Sequence, residues 1–122
     1  ITGSEDRHVR IDEAPDMSVH EADQAVKAGA FLLDVREDFE WEQGHAPDAV
    51  HISLSEIGGR VDELPTDRTI VCVCHVGGRS AMAADALNRG GWKAVNVTGG
   101  MQAWEAARLP VVDSDGQPST IG

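Results

Sequence analysis

Short apolar runs, separated by polar segments that contain glycine, divide this chain into alternating strand and helix candidates. The apolar run at residues 31–35, interrupted only by Asp34, is typical of a strand buried on both faces of a parallel sheet, and residues 70–73 and 94–97 predict two further strands. Shorter strands are predicted at residues 9–11, where apolar and polar positions alternate, and at residues 50–52. The pattern therefore predicts five strands.

Helical spacing fills the segments between these strands. Ser18 and Glu21 have the spacing of a capping box, and Gly29 lies where a left-handed residue would end a helix over residues 19–28. Further helices are predicted over residues 37–43, 55–64 with a weak break at two glycines, 80–88 and 101–108. This alternation predicts an α/β fold with a mainly parallel sheet and right-handed crossovers. Ligands of such sheets bind beyond the carboxyl ends of the strands.

The chain has the length of one domain and is strongly acidic. Its 122 residues carry a formal net charge of −11, which argues against nucleic acid or an anionic membrane surface as a partner. An anionic substrate would need a locally positive site, and the candidates for it are Arg79 and the loop amides, unless Arg79 is only a solvated helix-start residue. No apolar stretch approaches the ~20 residues that span a bilayer.

The two cysteines favour a reduced, cytoplasmic protein. Cys72 and Cys74 are two positions apart on one predicted strand, a spacing that cannot provide a disulfide framework. No signal-peptide pattern is visible, but the chain begins at Ile1, which leaves open a removed targeting segment.

Cys74 is the strongest candidate for chemistry. It follows the predicted strand at residues 70–73 and precedes a loop with two glycines, after which a helical pattern begins at Ser80. Loop amides and a helix N-terminus place partial positive charge around such a thiol, which lowers its pKa from ~8.5 to between roughly 3.5 and 7.5. The residues therefore predict a nucleophilic thiolate.

The same residues allow other interpretations. Cys74 could be an inert core thiol, and Cys72 is expected to be structural, with an oxidation-sensitive role as the alternative. A zinc site formed by both cysteines and His75 is disfavoured, because adjacent strand residues point to opposite faces and no second cysteine pair exists. The acidic segment 37–42 is expected to be a solvated face, with Trp41 either packed on the core or exposed for a partner.

Three segments, in this order along the chain, carry a family resemblance. Leu-Asp-Val-Arg-Glu at residues 33–37 continues to Gly-His-Ala-Pro-Asp-Ala-Val-His-Ile at 44–52, the loop at 74–80 is the second segment, and Gly-Gly-Met-Gln-Ala-Trp at 99–104 is the third. Together they resemble the signatures of the rhodanese family of sulfurtransferases. Asp48 departs from the pattern, since the family usually has glycine there, and this puts the geometry of that turn in question.

The resemblance implies a fold and a reaction. The fold is a three-layer rhodanese-like domain over residues 8–110, with a central, mainly parallel five-stranded sheet flanked by helices. Flexible segments are expected at residues 1–7 and 111–122. The implied reaction is attack of the Cys74 thiolate on the outer sulfur of a small anionic donor such as thiosulfate. The resulting persulfide would pass its sulfur to a thiol, cyanide or protein acceptor, without a cofactor.

The resemblance also implies the site residues. Asp34 and Arg36 match the Asp-x-Arg pair of the family and are expected to support the site from the neighbouring strand end, or to be purely structural. The loop amides would hold the persulfide, and the loop arginine would attract the donor. The expected substrate-binding residues are His75, Val76, Gly77, Gly78, Arg79 and Ser80.

Two other functions remain open at this point. A phosphatase or arsenate reductase of the dual-specificity kind shares this architecture, but its loop has five residues between cysteine and arginine, whereas residues 75–78 supply four. The smaller ring of amides suits one sulfur better than a tetrahedral phosphate. Alternatively, the domain could relay sulfur to a protein partner, or bind one, with little catalysis of its own.

Overall fold

The computed structural model describes residues 14–121. Within this range the strands are β1 (Asp16–Met17), β2 (Phe31–Asp34), β3 (Val50–His51), β4 (Ile70–Val73) and β5 (Ala94–Val97). The α-helices are α1 (Val19–Lys27), α2 (Asp38–Gln43), α3 (Gly78–Arg89) and α4 (Gly100–Ala106), and 3₁₀ segments cover Leu54–Gly59 and Val61–Glu63. None of these helices is long and apolar enough to cross a membrane. The predicted strand at residues 9–11 and the segment 1–7 lie outside the described residues.

The five strands form one parallel sheet in the order β1-β5-β4-β2-β3. The central strand, β4, places Cys72 opposite Asn96 of β5 and Val73 opposite Asp34 of β2. Because parallel strands end at the same edge of a sheet, the residue after β4 lies beside the ends of both neighbours. The predicted α/β class with a mainly parallel five-stranded sheet is confirmed, with β1 and β3 as the edge strands.

Helices cover both faces of the sheet and give the molecule three layers. Alternate side chains of β4 point to opposite faces. Ile70, Cys72 and Cys74 pack with α3 and the 3₁₀ segments, while Val71 and Val73 pack with α1 and α4. The predicted capping box holds at α1, where the Ser18 hydroxyl accepts from the Glu21 amide at 3.1 Å.

Two elements of the structure differ from the prediction. Residues 55–64 form two 3₁₀ segments instead of an α-helix, because adjacent glycines weaken the helix and Arg60 leaves helical geometry with φ −129° between the segments. The strand β1 was not predicted, because Asp16 and Met17 form no apolar run. Backbone hydrogen bonds define it instead, including one from the Asn96 amide to the Pro15 carbonyl oxygen at 2.9 Å.

Residues 111–121 lie against the domain and are not the flexible tail expected from their polarity. Val112 and His45 exchange backbone hydrogen bonds at 2.8 and 2.9 Å. The Ile121 amide donates to the Glu105 carboxylate at 3.1 Å. Val111 and Ile121 are buried in the cluster that contains α4. These hydrogen bonds and the burial of two apolar side chains together hold the segment against the domain.

Candidate active site

Cys74 lies directly after β4, at the edge of the sheet where the sequence predicts a site. The residue is 1% exposed. Its Sγ accepts a hydrogen bond from the Gly77 amide at 3.1 Å, and the Ser80 Oγ lies 3.3 Å away. Since α3 begins at Gly78, the positive end of this helix faces the sulfur.

These contacts shift the balance toward the thiolate. Burial raises the pKa of Cys74, but hydrogen bonds from the Ser80 hydroxyl and from the amides of Ser80, Gly77 and Val76 outweigh it, so the pKa is lowered. Cys72 differs, because burial and the neighbouring charge of Cys74 raise its pKa to about 12. The pKa values of the two thiols on one strand face are therefore shifted in opposite directions. Within residues 14–121, no group of three cysteine, histidine or carboxylate side chains is arranged to hold a metal ion.

The loop keeps its shape through glycine and through α4. Gly77 has φ +115°, in the left-handed region where a side chain is disfavoured. The first amides of α4 bind the outside of the loop: Met101 donates to the Cys74 carbonyl oxygen at 2.7 Å, and Gln102 to that of His75 at 3.0 Å. Gly100, with φ +57°, allows this approach, because a Cβ there would overlap the same carbonyl groups. The loop carbonyls therefore face α4 while the amides face the sulfur.

Arg79 is engaged in an ion pair that the sequence analysis did not anticipate. Its Nη1 and Nη2 donate to the two carboxylate oxygens of Glu40 at 2.7 and 2.9 Å. The Glu37 amide also donates to Glu40 at 3.0 Å, which orients the carboxylate. The hydrogen bond with Arg79 lowers the pKa of Glu40 to about 2, and the same bond raises the pKa of Arg79. This pairing explains why a cation is tolerated at a helix N-terminus.

Asp34 and Arg36 form a buried pair one strand away from the sulfur. Both side chains are 0% exposed, and Arg36 Nη2 donates to Asp34 at 2.8 Å and to the Gly44 carbonyl oxygen at 2.8 Å. Arg36 Nη1 has no hydrogen-bond partner within the described part of the chain. The pair ties the end of β2 to the segment after α2, and its described hydrogen bonds do not reach Cys74.

Trp41 packs on two imidazole rings. Its ring stacks on His45 at a centroid distance of 3.5 Å and on His51 at 5.0 Å. Each histidine donates a hydrogen bond to a backbone carbonyl oxygen, from His45 Nδ1 to Trp41 and from His51 Nε2 to Arg36. The histidines are thus hydrogen-bonded turn and strand residues, and Trp41 is half-buried against their rings without belonging to either core cluster.

The turn at Asp48 does not require glycine. The Ala49 amide donates to the Ala46 carbonyl oxygen at 3.1 Å and closes the turn. Arg108 is the only non-glycine residue with positive φ in the described part of the chain, so Asp48 has an ordinary backbone conformation.

Sequence reasoning missed three residues near the sulfur. Glu40 was assigned to a solvated face, although a cation at the start of α3 indicates a nearby carboxylate. Asn96, which accepts from the Ser80 hydroxyl at 2.6 Å, is a buried polar residue inside an apolar strand, and this was an available signal. Asp16, which accepts from Asn96 at 3.0 Å, gave no signal, because β1 itself was not predicted.

Comparison with known proteins agrees with this geometry. The sequence matches the rhodanese-like domain family over residues 18–107. It is 42% identical over 80 residues to YtwF of Bacillus subtilis, provisionally named a sulfurtransferase, with 66% of this chain and 78% of that protein covered. It is 37% identical over 86 residues to a protein named sulfurtransferase of Allochromatium vinosum, with 70% of this chain and 80% of that protein covered. A rhodanese-related protein from Thermoplasma volcanium has a similar structure, with a TM-score of 0.76, 33% identity, and 80% and 97% of the two chains covered. The chain belongs to the rhodanese family.

Proposed function

We propose that this domain is a sulfurtransferase that carries sulfur as a persulfide on Cys74. The observation that carries the proposal is the hydrogen bonding of the buried sulfur, which lowers the pKa of Cys74 despite burial. A thiolate at neutral pH is the reactive form of cysteine, and the converging donors stabilise negative charge without moving a proton. The names of the matched relatives support the same activity.

The reaction has two displacements. The Cys74 thiolate attacks the outer sulfur of thiosulfate, a new S–S bond forms, and the S–S bond of the donor breaks with its electron pair leaving on sulfite. The electron pair of the attacking thiolate becomes the new S–S bond, so the inner sulfur is uncharged and the outer sulfur keeps the negative charge that it had in thiosulfate. An acceptor such as cyanide or a thiolate then attacks that outer sulfur, and the electron pair returns to Cys74 Sγ. Charge balances in each step, and no cofactor is required.

Each predicted site residue has a place in this proposal. The amides of Val76, Gly77 and Ser80, which already bind Sγ, would hold the persulfide. His75 and Gly78 are the remaining residues of the loop between Cys74 and Arg79. Asp34 and Arg36 fix the adjacent strand end. Arg79 would attract an anionic donor only to the extent that Glu40 leaves its charge uncompensated.

The decisive experiment treats the protein with thiosulfate and measures its intact mass by mass spectrometry. We expect a gain of one sulfur atom that is absent in Cys74→Ser and present in Cys72→Ser, and thiocyanate formation when cyanide is added. Undiminished thiocyanate formation by Cys74→Ser would refute the mechanism. An aryl phosphate serves as the second substrate, because rapid hydrolysis of it would favour the phosphatase alternative instead.

A further inference from the structure

The hydroxyl of Ser80 has one proton and three acceptors within reach. Its Oγ lies 2.6 Å from Asn96 Oδ1, 3.3 Å from Cys74 Sγ and 3.3 Å from the Gly77 carbonyl oxygen. Ser80 is 0% exposed and Asn96 is 6% exposed, so bulk water has little access to either side chain. Since a hydroxyl donates only one hydrogen bond, Asn96 and the sulfur compete for the same proton.

Asp16 determines which way the Asn96 amide faces. Asn96 Nδ2 donates to Asp16 Oδ1 at 3.0 Å, and an ionised carboxylate can only accept. The amide nitrogen therefore faces Asp16, and the amide oxygen faces Ser80. The register of the sheet sets this contact, because β1 pairs with β5 so that Asp16 is opposite Asn96.

We propose that Asn96 is a positioning residue that accepts a hydrogen bond from the Ser80 hydroxyl while the Cys74 sulfur is uncharged and loses that hydrogen bond when the sulfur is a thiolate. In the thiol, S–H donates to Ser80 Oγ and Ser80 donates to Asn96, so each group in the series has a partner. In the thiolate, Ser80 turns to the sulfur and Asn96 Oδ1 loses its donor. An unsatisfied buried acceptor is unfavourable, so Asn96 keeps the sulfur more basic than Ser80 alone would.

The same exchange would occur within each round of sulfur transfer, and this step of the inference rests on the proposed function. The inner sulfur of the persulfide is uncharged, so the Ser80 hydroxyl donates to Asn96. When an acceptor takes the outer sulfur, the S–S bond breaks and its electron pair returns to Cys74 Sγ. Ser80 then donates to the new thiolate, and no proton leaves the hydroxyl. Asn96 thus influences how readily Cys74 acts as a leaving group.

Apart from Asp16, the titratable groups around the sulfur are unchanged in every variant of the test. These are Arg79 with its partners Glu40 and Glu37, Cys72 on the same strand face, and His75, the next residue in the loop. Asp16 loses the hydrogen bond from Asn96 in Asn96→Leu, and the double variant with Ser80→Ala measures that effect separately.

The test measures the pKa of the thiol from the pH dependence of iodoacetamide labelling at Cys74. Asn96→Leu keeps a similar volume but removes the acceptor, and we expect about a threefold to tenfold higher labelling rate on the acid side of the profile, which corresponds to a pKa lowered by about half a unit to one unit. Ser80→Ala should raise the pKa, because the thiolate loses a donor. Thr98→Val, which removes an exposed hydroxyl just after β5, is the matched control and should leave the profile unchanged.

The double variant separates positioning from a general structural effect. If Asn96 acts through Ser80, adding Asn96→Leu to Ser80→Ala leaves the profile of Ser80→Ala unchanged. The proposal is overturned if Asn96→Leu lowers the pKa of Cys74 equally with and without Ser80→Ala. It is also overturned if Asn96→Leu alone leaves the pKa of Cys74 unchanged or raises it. Asn96→Val is a second variant with the same expected direction, and circular dichroism with urea unfolding checks that each variant is folded.

The same profiles distinguish this inference from the proposed function. Labelling needs only the thiol, so a shift of the expected sign supports the role of Asn96 even if thiosulfate adds no sulfur to the native protein. That combination would refute the sulfur-transfer mechanism alone. Normal persulfide formation with an unshifted profile in Asn96→Leu would refute the role of Asn96 alone.

Discussion

Replacing Glu40 with Gln should make thiosulfate a better substrate. In the native protein the carboxylate binds both Nη atoms of Arg79, at 2.7 and 2.9 Å, and compensates the positive charge of this arginine. Arg79 lowers the pKa of Glu40 from 4.5 to about 2, so the carboxylate stays ionised until the pH falls toward that value. Protonation therefore does not free Arg79 at any practical assay pH, but the substitution does.

The expected magnitude follows from Coulomb's law. The two side chains are 34% and 17% exposed, which calls for a dielectric constant close to that of water. For a dianion about 7 Å from the carboxylate and an effective dielectric constant of about 60, the repulsion removed is about 1.6 kcal/mol. Screening by salt reduces this to about 1 kcal/mol, or about fivefold in affinity. Lost ion pairing with Arg79 should cost about 0.5 kcal/mol of stability at such exposure.

The assay compares the KM for thiosulfate between Glu40→Gln and Glu42→Gln. Glu42 is exposed on the same helix, so the control has the same net charge but leaves Arg79 paired. Methanethiosulfonate, a donor with one negative charge, should show about half the free-energy effect, or about twofold in KM. An unchanged or higher KM in Glu40→Gln, or equal changes in both variants, would refute the view that Glu40 restrains Arg79.

Three further predictions follow from the same geometry. Arg79→Ala should raise the KM for thiosulfate by about tenfold, because it removes a cation and leaves Glu40 unpaired, and Glu40→Gln should restore part of the loss when the two are combined. Iodoacetamide should label Cys74 at pH values below the ordinary thiol pKa. Cys72 should stay unlabelled in the native protein, because burial raises its pKa to about 12. Peptide mass spectrometry across a pH series would check both expectations. Asp34→Asn should lower the free energy of unfolding by about 3–5 kcal/mol, because it leaves the Arg36 guanidinium buried without a counter-ion. Urea unfolding measures this, and Glu63→Gln, which breaks the exposed pair with Arg60, should barely move the midpoint.

Local patterns were sufficient for most of the fold and for the position of the candidate nucleophile. The apolar run before Cys74 marks a buried central strand, and the glycines after it mark a loop that α3 continues. Both facts come from neighbouring residues, so periodicity and turn chemistry reveal them. The capping box at Ser18 was predictable for the same reason, since Glu21 lies only three positions away.

Contacts between distant segments could not be predicted from the sequence. Glu40 and Arg79 are 39 positions apart, and Asn96 and Asp16 are 80 apart. Only the sheet order, with β1 beside β5, brings the second pair together. An acidic residue on a short helix has the same sequence appearance whether it faces solvent or a cation, so Glu40 was assigned to the solvated face.

The two sources of positive charge at the site act over different distances. Amide dipoles weaken quickly with distance, so those of Val76, Gly77 and Ser80 stabilise charge on the sulfur itself and attract little from bulk solvent. Arg79 is the residue that would attract an anion over a long distance, but Glu40 compensates its charge. The net charge of the chain, −11, adds a general repulsion. Negative donors should therefore react slowly at low salt and faster as salt screens the repulsion. Under the proposed mechanism, the site would stabilise a persulfide once formed but would disfavour the capture of a free dianion, so we expect donors of lower charge to be used more efficiently.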